Sequence, residues 1–445
     1  MNFKNLLNNV VDPGYCVGCG TCVSMCNFET ISMKFNDIGQ YEPFYVDEST
    51  CTSCGLCLNV CPFENKNDNE DVIGARKFKD LQNILHQKET GYYLDSFVGY
   101  ADEKTRLQGA SGGSVSQVLK WLLLNDKIDK IITVESTNNS DMLFQYTIVE
   151  TIEDIDRCAK SVYYPTEVSK VLEIARKSKD TRYAIVGLPC TLKAVENAKN
   201  KSKSLRKNIK YTLGLVCGQV KSKRYTEYII DSLNVEKNKV IEVNHRKKIV
   251  GNSANNYGFH ITTIDNHTVC KTWDEGIDTV WVNDLFKQKS CYFCDDIFAE
   301  YSDMVFMDAW LPEYAQDYKG TSLIVSRNEL LSEVVLSMNY EHISIDKVID
   351  SQKGVIVNKH SNIDVLNKLA LETESIVPIK RKYSSSNSIN NPIVKKYNWA
   401  MKTRNIAFKD VKNILNEITK SIPIKTRLKS KVYKILKKLG VVGGK

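Results

Sequence analysis

Eight cysteines in the first 61 residues fall into two runs of one spacing, Cys16-x2-Cys19-x2-Cys22-x3-Cys26 and Cys51-x2-Cys54-x2-Cys57-x3-Cys61. No other feature constrains the chain as tightly. A cubane 4Fe–4S cluster takes four thiolates. Three come from one tight loop, where a two-residue gap lets successive sulfurs wrap one cube. The fourth arrives from elsewhere, and in a duplicated run each fourth cysteine crosses to the other cluster. The spacing therefore assigns Cys16, Cys19, Cys22 and Cys61 to one cluster, and Cys51, Cys54, Cys57 and Cys26 to a second. Pro62 follows Cys61 whereas Asn27 follows Cys26. Proline there shapes the turn and makes no ligand contact.

Structural zinc would use two CxxC pairs set further apart, and disulfides would need an oxidising compartment. Residues 1–11 lack an apolar core behind a basic start, so no secretory signal is expected. No apolar run reaches about 18 residues, so no membrane-spanning helix is expected either. With fourteen cysteines, the chain reads as cytoplasmic, its thiolates used for metal. A length of 445 residues allows two or three domains.

Between the cysteine runs, Ile31–Phe35 and Tyr41–Val46 alternate with period two around Asn36-Asp37-Ile38-Gly39, a hairpin of the kind two-cluster ferredoxin modules carry. The polar stretch from Asn65 to Glu70 opens a linker. A strand is expected at Ser96–Tyr100, followed by the loop Gln108–Gly113. A helix should then bury Val115, Val118, Leu119, Leu122 and Leu123, and a strand run from Ile128 to Val134. A second strand–turn–helix begins at Tyr183–Gly187 and turns at Cys190. The next strand, Ile209–Val216, stops at Cys217. Both cysteines would then sit where open α/β sheets gather ligands. Cys291-x2-Cys294 and the strand Ser302–Asp308 follow. Cys190, Cys217, Cys291 and Cys294 form a candidate four-thiolate site, with buried thiols or zinc as alternatives. Cys158 and Cys270 read as ordinary buried thiols.

Five motifs in fixed order carry a resemblance: Ala110-Ser-Gly-Gly113, Gly187-Leu-Pro-Cys190, Gly214-Leu-Val-Cys217-Gly218, Cys291-x2-Cys294-x-Asp296 and Asp303-x4-Asp308. Over residues 12–330 the chain resembles the coenzyme F420 hydrogenase/dehydrogenase beta subunit family. The resemblance implies a third 4Fe–4S cluster at Cys190, Cys217, Cys291 and Cys294, and FAD. It also implies flavin contacts from Ser111, Gly112, Gly113, Ser114, Lys160, Asp308, Gly320 and Ser322. Two departures bear on these contacts. Lys160-Ser161-Val162-Tyr163-Tyr164 differs from the family's usual lysine–aromatic–Val-Gln-Ser, and Met307 replaces a glycine before Asp308. Arg246-Lys247-Lys248 resembles the family's Arg-x-Lys element, with a solvated loop as the alternative. Glycines before a helix suit close approach of phosphate.

The fold class expected is an α+β ferredoxin-like iron–sulfur module, then an α/β flavin-binding domain, then a basic helical C-terminal tail. The boundaries are 1–64 for the module, 65–95 for the linker, 96–178 and 179–345 for the two parts of the flavin domain, and 346–445 for the tail. From Ile379 to Lys445 there are 18 Lys or Arg against two acids, in a chain of net charge +8, so the remainder is acidic. Two tail helices are expected, over Val411, Ile414, Leu415 and Ile418, and, past Pro423, over Leu428, Val432, Leu436 and Leu439. Such helices suit an anionic membrane surface, at the inner membrane face, or an acidic protein, with a solvated helical pair packed on the acidic body as the alternative. No nucleic-acid recognition motif is visible. Deleting residues 379–445 is expected to leave cluster and flavin content intact.

The function expected is electron transfer between ferredoxin-type clusters and FAD, and from FAD to a two-electron acceptor, coenzyme F420 or another small molecule. Reduced ferredoxin or another redox protein would be the partner. The alternatives are a non-catalytic electron-transfer subunit and an interaction protein with structural clusters. No catalytic acid is named, and His245, His260 and His267 are scattered.

Overall fold

The structure, a computed structural model, describes residues 2–64, 67–373, 378, 381 and 391–421. The N-terminal module is built on the duplicated cysteine run. Short helices Thr21–Ser24 and Leu56–Asn59 each start after a left-handed glycine, Gly20 at φ +78° and Gly55 at φ +72°. Each glycine directly follows the second cysteine of its run. A side chain would strain that turn, so both runs repeat one backbone path. Between them β1 (Ile31–Phe35) pairs antiparallel with β2 (Tyr41–Tyr45), Ile31 opposite Tyr45.

Within the stretch 65–95 expected to be a linker, the described residues 67–95 hold structure. Helix α1 (Glu70–Phe78) buries Ile73 and Phe78, and β3 (Leu85–Gln87) pairs with β4 (Gly91–Tyr93). The polar run at its start masked a helix whose inward charge, Glu70, is paired at 2.7 Å with Lys193, both about fully buried.

An eight-stranded mixed sheet follows. Its strands are β5 (Asp95–Gly99), β6 (Lys130–Ser136), β7 (Phe144–Val149), β8 (Tyr183–Gly187), β9 (Ile209–Leu215), β13 (Met304–Asp308), β14 (Ser322–Ser326) and β15 (Tyr340–His342). They lie in the order β15-β5-β14-β13-β9-β8-β6-β7. The four central strands β13, β9, β8 and β6 are parallel. The strands beside them, β14 and β7, run antiparallel. Helix α2 (Ser114–Leu124) joins β5 to β6, buries Val118, Leu119 and Leu122, and carries the chain across the sheet. β5 and β6 are therefore not neighbours, unlike the strands of a simple βαβ unit. β8 and β9 are neighbours, linked through α3 (Pro189–Lys201), with proline in its first turn where a missing N–H does no harm. Cys190, Cys217 and Asp308 thus fall at one edge, the C-terminal ends of parallel strands.

A smaller antiparallel sheet comprises β10 (Val240–Lys247), β11 (Gly258–Thr263) and β12 (Thr268–Thr272). Its Val243, Phe259 and Ile261 pack with residues of the C-terminal helices.

Those helices correct the expectation of a separate tail. Helix α4 (Ile345–Glu372) buries Val348, Ile356, Ile363 and Leu366, and its Val348, Ile356 and Leu366 join the same core as β8 and β13. Helix α5 (Asn391–Thr403) buries Trp399 and Ala400, and α6 (Phe408–Ser421) buries Val411, Ile414 and Ile418. The helix expected over Val411, Ile414, Leu415 and Ile418 is α6, and its apolar stripe packs inward beneath a lysine-rich surface. Deletion from residue 379 would remove part of the core. The second tail helix expected, around Leu428 to Leu439, lies outside the described residues. No described helix is long and apolar enough to cross a membrane.

Candidate redox site

Twelve cysteines gather into three groups. Cys26, Cys51, Cys54 and Cys57 line one apolar cavity with Phe3, Ile31 and Leu56. Cys54 is exposed, so this group reaches the surface. The Cys57 thiol is pushed up to about 12, by burial first and then by the nearby Cys54, Cys51 and Cys26. Cys16 is raised by burial first and then by Cys61, with Cys19 also close. The Gly18 N–H donates to Cys16 Sγ at 3.3 Å. Each fourth cysteine therefore stands with the other run's three, the grouping expected from the spacing.

The third group forms at the edge of the large sheet. Cys190 enters from the first turn of α3, Cys217 follows β9, and Cys291 and Cys294 bracket the end of a short 3-10 turn, Lys289–Phe293. Burial raises the Cys190 thiol, and Cys217, Cys294 and Cys291 raise it further. Cys217 is pushed up to about 12 and Cys294 to about 11, both chiefly by burial. The Val220 N–H donates to Cys291 Sγ at 3.2 Å. From α4, Lys359 Nζ lies 3.5 Å from Cys294 Sγ and donates to the Asp296 carbonyl at 2.7 Å. Burial opposes its charge, but Cys294, Cys217 and Cys291 hold it above the ordinary lysine range. Four soft donors, a peptide N–H on one sulfur and a buried ammonium suit an anionic iron–sulfur cluster. Among the described residues, no three His, Cys, Asp or Glu side chains close on a single-ion site.

The three groups adjoin one another. Cys22 senses Cys57 of the surface group, and Cys190 senses Cys19. Tyr146, nearly fully buried, is near both Cys190 and Cys19, and its hydroxyl donates to the Val186 carbonyl at 3.2 Å.

The expected flavin residues converge in part. The Ser111–Ser114 loop and the turn at Gly320 pack together: a Cβ on Gly112 would lie 2.7 Å from Ser322 Oγ, and one on Gly320 would lie 3.0 Å from Ser111 Cα. The Ser111 hydroxyl donates to the Thr321 carbonyl at 3.1 Å, and Ser114 Oγ accepts from Tyr340 at 2.7 Å. The loop's hydroxyls are thus engaged. Its backbone still offers a helix start, since α2 begins after Gly113, φ +79°, without a side-chain cap. Two cations brace this loop. Lys248 donates to the Ser111 carbonyl at 2.7 Å and to the Arg106 carbonyl, and Arg106 holds the Gly320 carbonyl at 2.8 Å. Burial, then Arg106 and Arg246, depress Lys248 to about 8. At the end of β13, Asp308 takes a two-point bond from Arg246 at 2.8 and 3.0 Å. The guanidinium lies 4.5 Å from the Tyr257 ring and 5.6 Å from Trp310. Lys160 is not drawn in. It pairs with Glu242 at 2.6 Å, while Tyr163, three residues on, reaches Arg246. A helix N-terminus, three cations and three aromatic rings fit a flavin with an anionic diphosphate.

Arg106, Tyr257, Trp310 and Lys359 escaped the sequence reading, and each acts through a contact distant in sequence. A helical apolar stripe over Val348, Ile356, Ile363 and Leu366 could have flagged α4. The carbonyl of Asp308 accepts from Gln352 of α4 at 2.9 Å. Gln352 and Lys359 are seven residues apart, or about 11 Å along the helix axis. One rigid element therefore touches both the third cysteine group and the Asp308 end of the second region.

The family model "4Fe-4S dicluster domain" matches residues 15–65. Two models of the "Coenzyme F420 hydrogenase/dehydrogenase, beta subunit" also match, the one for its N-terminal part over residues 96–173 and the one for its C-terminal part over residues 180–350. The chain is similar to a coenzyme F420-dependent sulfite reductase of Methanocaldococcus jannaschii, 26% identical over 228 residues, 47% of this chain and 32% of that protein. It thus spans about a third of that relative's length. A solved chain of the F420-reducing [NiFe] hydrogenase complex from Methanosarcina barkeri aligns at 17% identity and a TM-score of 0.49, over 65% of this chain and 97% of that one. The chain belongs to the coenzyme F420 hydrogenase/dehydrogenase beta subunit family, and a 4Fe–4S dicluster domain at its front makes it an iron–sulfur member of that oxidoreductase family.

Proposed function

We propose that the chain passes electrons between ferredoxin-type 4Fe–4S clusters and FAD, and from FAD to a two-electron acceptor such as coenzyme F420 or another small molecule. When bound, the clusters carry electrons singly and FAD couples them to two-electron chemistry. The cysteines of the N-terminal module hold two clusters, and Cys190, Cys217, Cys291 and Cys294 hold a third. The N–H groups at the start of α2, with Lys248 and Arg106, take the FAD diphosphate, and Arg246, fixed by Asp308, lines the ring end with Tyr257 and Trp310. Cys54 opens the cysteine groups to a one-electron partner protein, a reduced ferredoxin or a similar carrier.

The observation that carries the reading is continuity: three adjoining thiolate groups, the last joined by α4 to Asp308. In Cys291→Ser, flavin reduction by reduced ferredoxin should be abolished, while the EPR signals of the N-terminal clusters persist. Normal flavin reduction in that variant would remove the third group from the path. Lys248 gives a second test. Raising the pH through about 8 neutralises it, so FAD should dissociate more readily above that pH, and Lys248→Gln should flatten the dependence. A flat wild-type titration followed by flavin fluorescence would remove Lys248 from the flavin site.

One observation favours a second reading, a subunit whose partner holds the acceptor site: two thirds of the sulfite reductase relative lies outside the match. Turnover by the isolated chain with a small acceptor separates the two.

A further inference from the structure

Lys359 lies beyond the matched stretch 180–350, on a helix expected to belong to a surface tail. It is 2% exposed. Its hydrogen-bond partners are Cys294 Sγ at 3.5 Å and the Asp296 carbonyl at 2.7 Å. Burying an ammonium is strongly unfavourable unless negative charge stands opposite. The charge facing Lys359 is that of the thiolates, together with Asp296. Asp295 and Asp296 face Cys294 and act in the opposite sense. Asp295 is itself held at 2.7 Å by Arg381.

We propose that Lys359 is a positioned positive charge that raises the reduction potential of the third cluster. The inference rests on the reading of Cys190, Cys217, Cys291 and Cys294 as cluster ligands. Reduction adds one electron from the dicluster module and so one unit of negative charge. No bond breaks and no proton is needed. A fixed ammonium at a ligand sulfur stabilises the reduced form more than the oxidised one, and hydrogen bonds to sulfur act in the same direction. The carbonyl of Asp296 anchors the ammonium, so its distance to Cys294 is set by α4 and not by a flexible stem.

The test is a potentiometric EPR titration of the full chain purified without oxygen, comparing wild type with Lys359→Met, Lys359→Gln and Lys359→Arg. Met removes the charge, Gln keeps a donor without it, and Arg keeps both. In Met and Gln, one of three potentials should fall by a factor of roughly ten in its one-electron equilibrium, about 59 mV, while the other two stay in place. Arg should stay near wild type. Loss of the third cluster in Met and Gln but not Arg would equally show that the charge holds it. Unmoved potentials in Met and Gln, or cluster loss in all three variants, would overturn the role of the charge. Wild-type protein with about 8 iron instead of about 12 would overturn the third cluster itself, a failure the iron count tells apart.

Discussion

His245 is buried among Phe144, Tyr163 and Phe259, its Nε2 3.0 Å from Thr226 Oγ1. Burial depresses it from 6.5 to about 3. The folded state keeps it neutral while the unfolded chain protonates it below about 6.5. Its contribution is therefore complete above that pH and is lost as pH falls towards 3. Between pH 7 and 5 the loss should be about 2 kcal/mol, and His245→Phe should abolish that share in urea melts. Equal acid sensitivity in the variant would contradict the burial argument. The cysteine runs were legible because ligand spacing is local and written in sequence. Arg246 and Asp308 stand 62 positions apart, and only the fold brings the guanidinium onto the strand end. The same holds for Lys359 and Cys294.

At the scale of elements, β6 was readable as an apolar β-branched run, β8, β9 and β13 as strands, and α2 as an amphipathic helix. Of the C-terminal helices, α6 was readable from its apolar spacing, whereas α4 and α5 were not singled out because polar and charged residues dominate their composition. Arg381 shows the consequence. It pairs with Asp295 and Glu300, both nearly fully buried. Arg381→Ala leaves Glu300 without its guanidinium and should destabilise the fold by about 3–5 kcal/mol in chemical denaturation. A change under about 1 kcal/mol would show that the pair is solvated. Truncation after residue 373 removes Arg381, α5 and α6 together. Tyr397 of α5 meets Tyr292, between Cys291 and Cys294, edge-on at 5.0 Å. Truncated protein should therefore lose the third cluster's iron and melt lower than the full chain. Iron content and melting temperature unchanged on truncation would restore the view of an independent tail.

Across the whole molecule, the family models stop at residue 350, yet the described residues beyond it pack into the fold. The described part of that stretch closes over the smaller sheet through α5 and α6, and α4 braces the third thiolate group against Asp308. The cysteine groups extend from the exposed Cys54 to Cys190 at the sheet edge, and on the proposed function the Cys54 end would be where a partner protein exchanges electrons. Iron, sulfide and flavin content of protein purified without oxygen, with EPR of the reduced form, tests this layout most directly. About 12 iron and one FAD per chain are expected. About 8 iron and no flavin would contradict it, leaving a dicluster module beside a sheet that carries electrons nowhere.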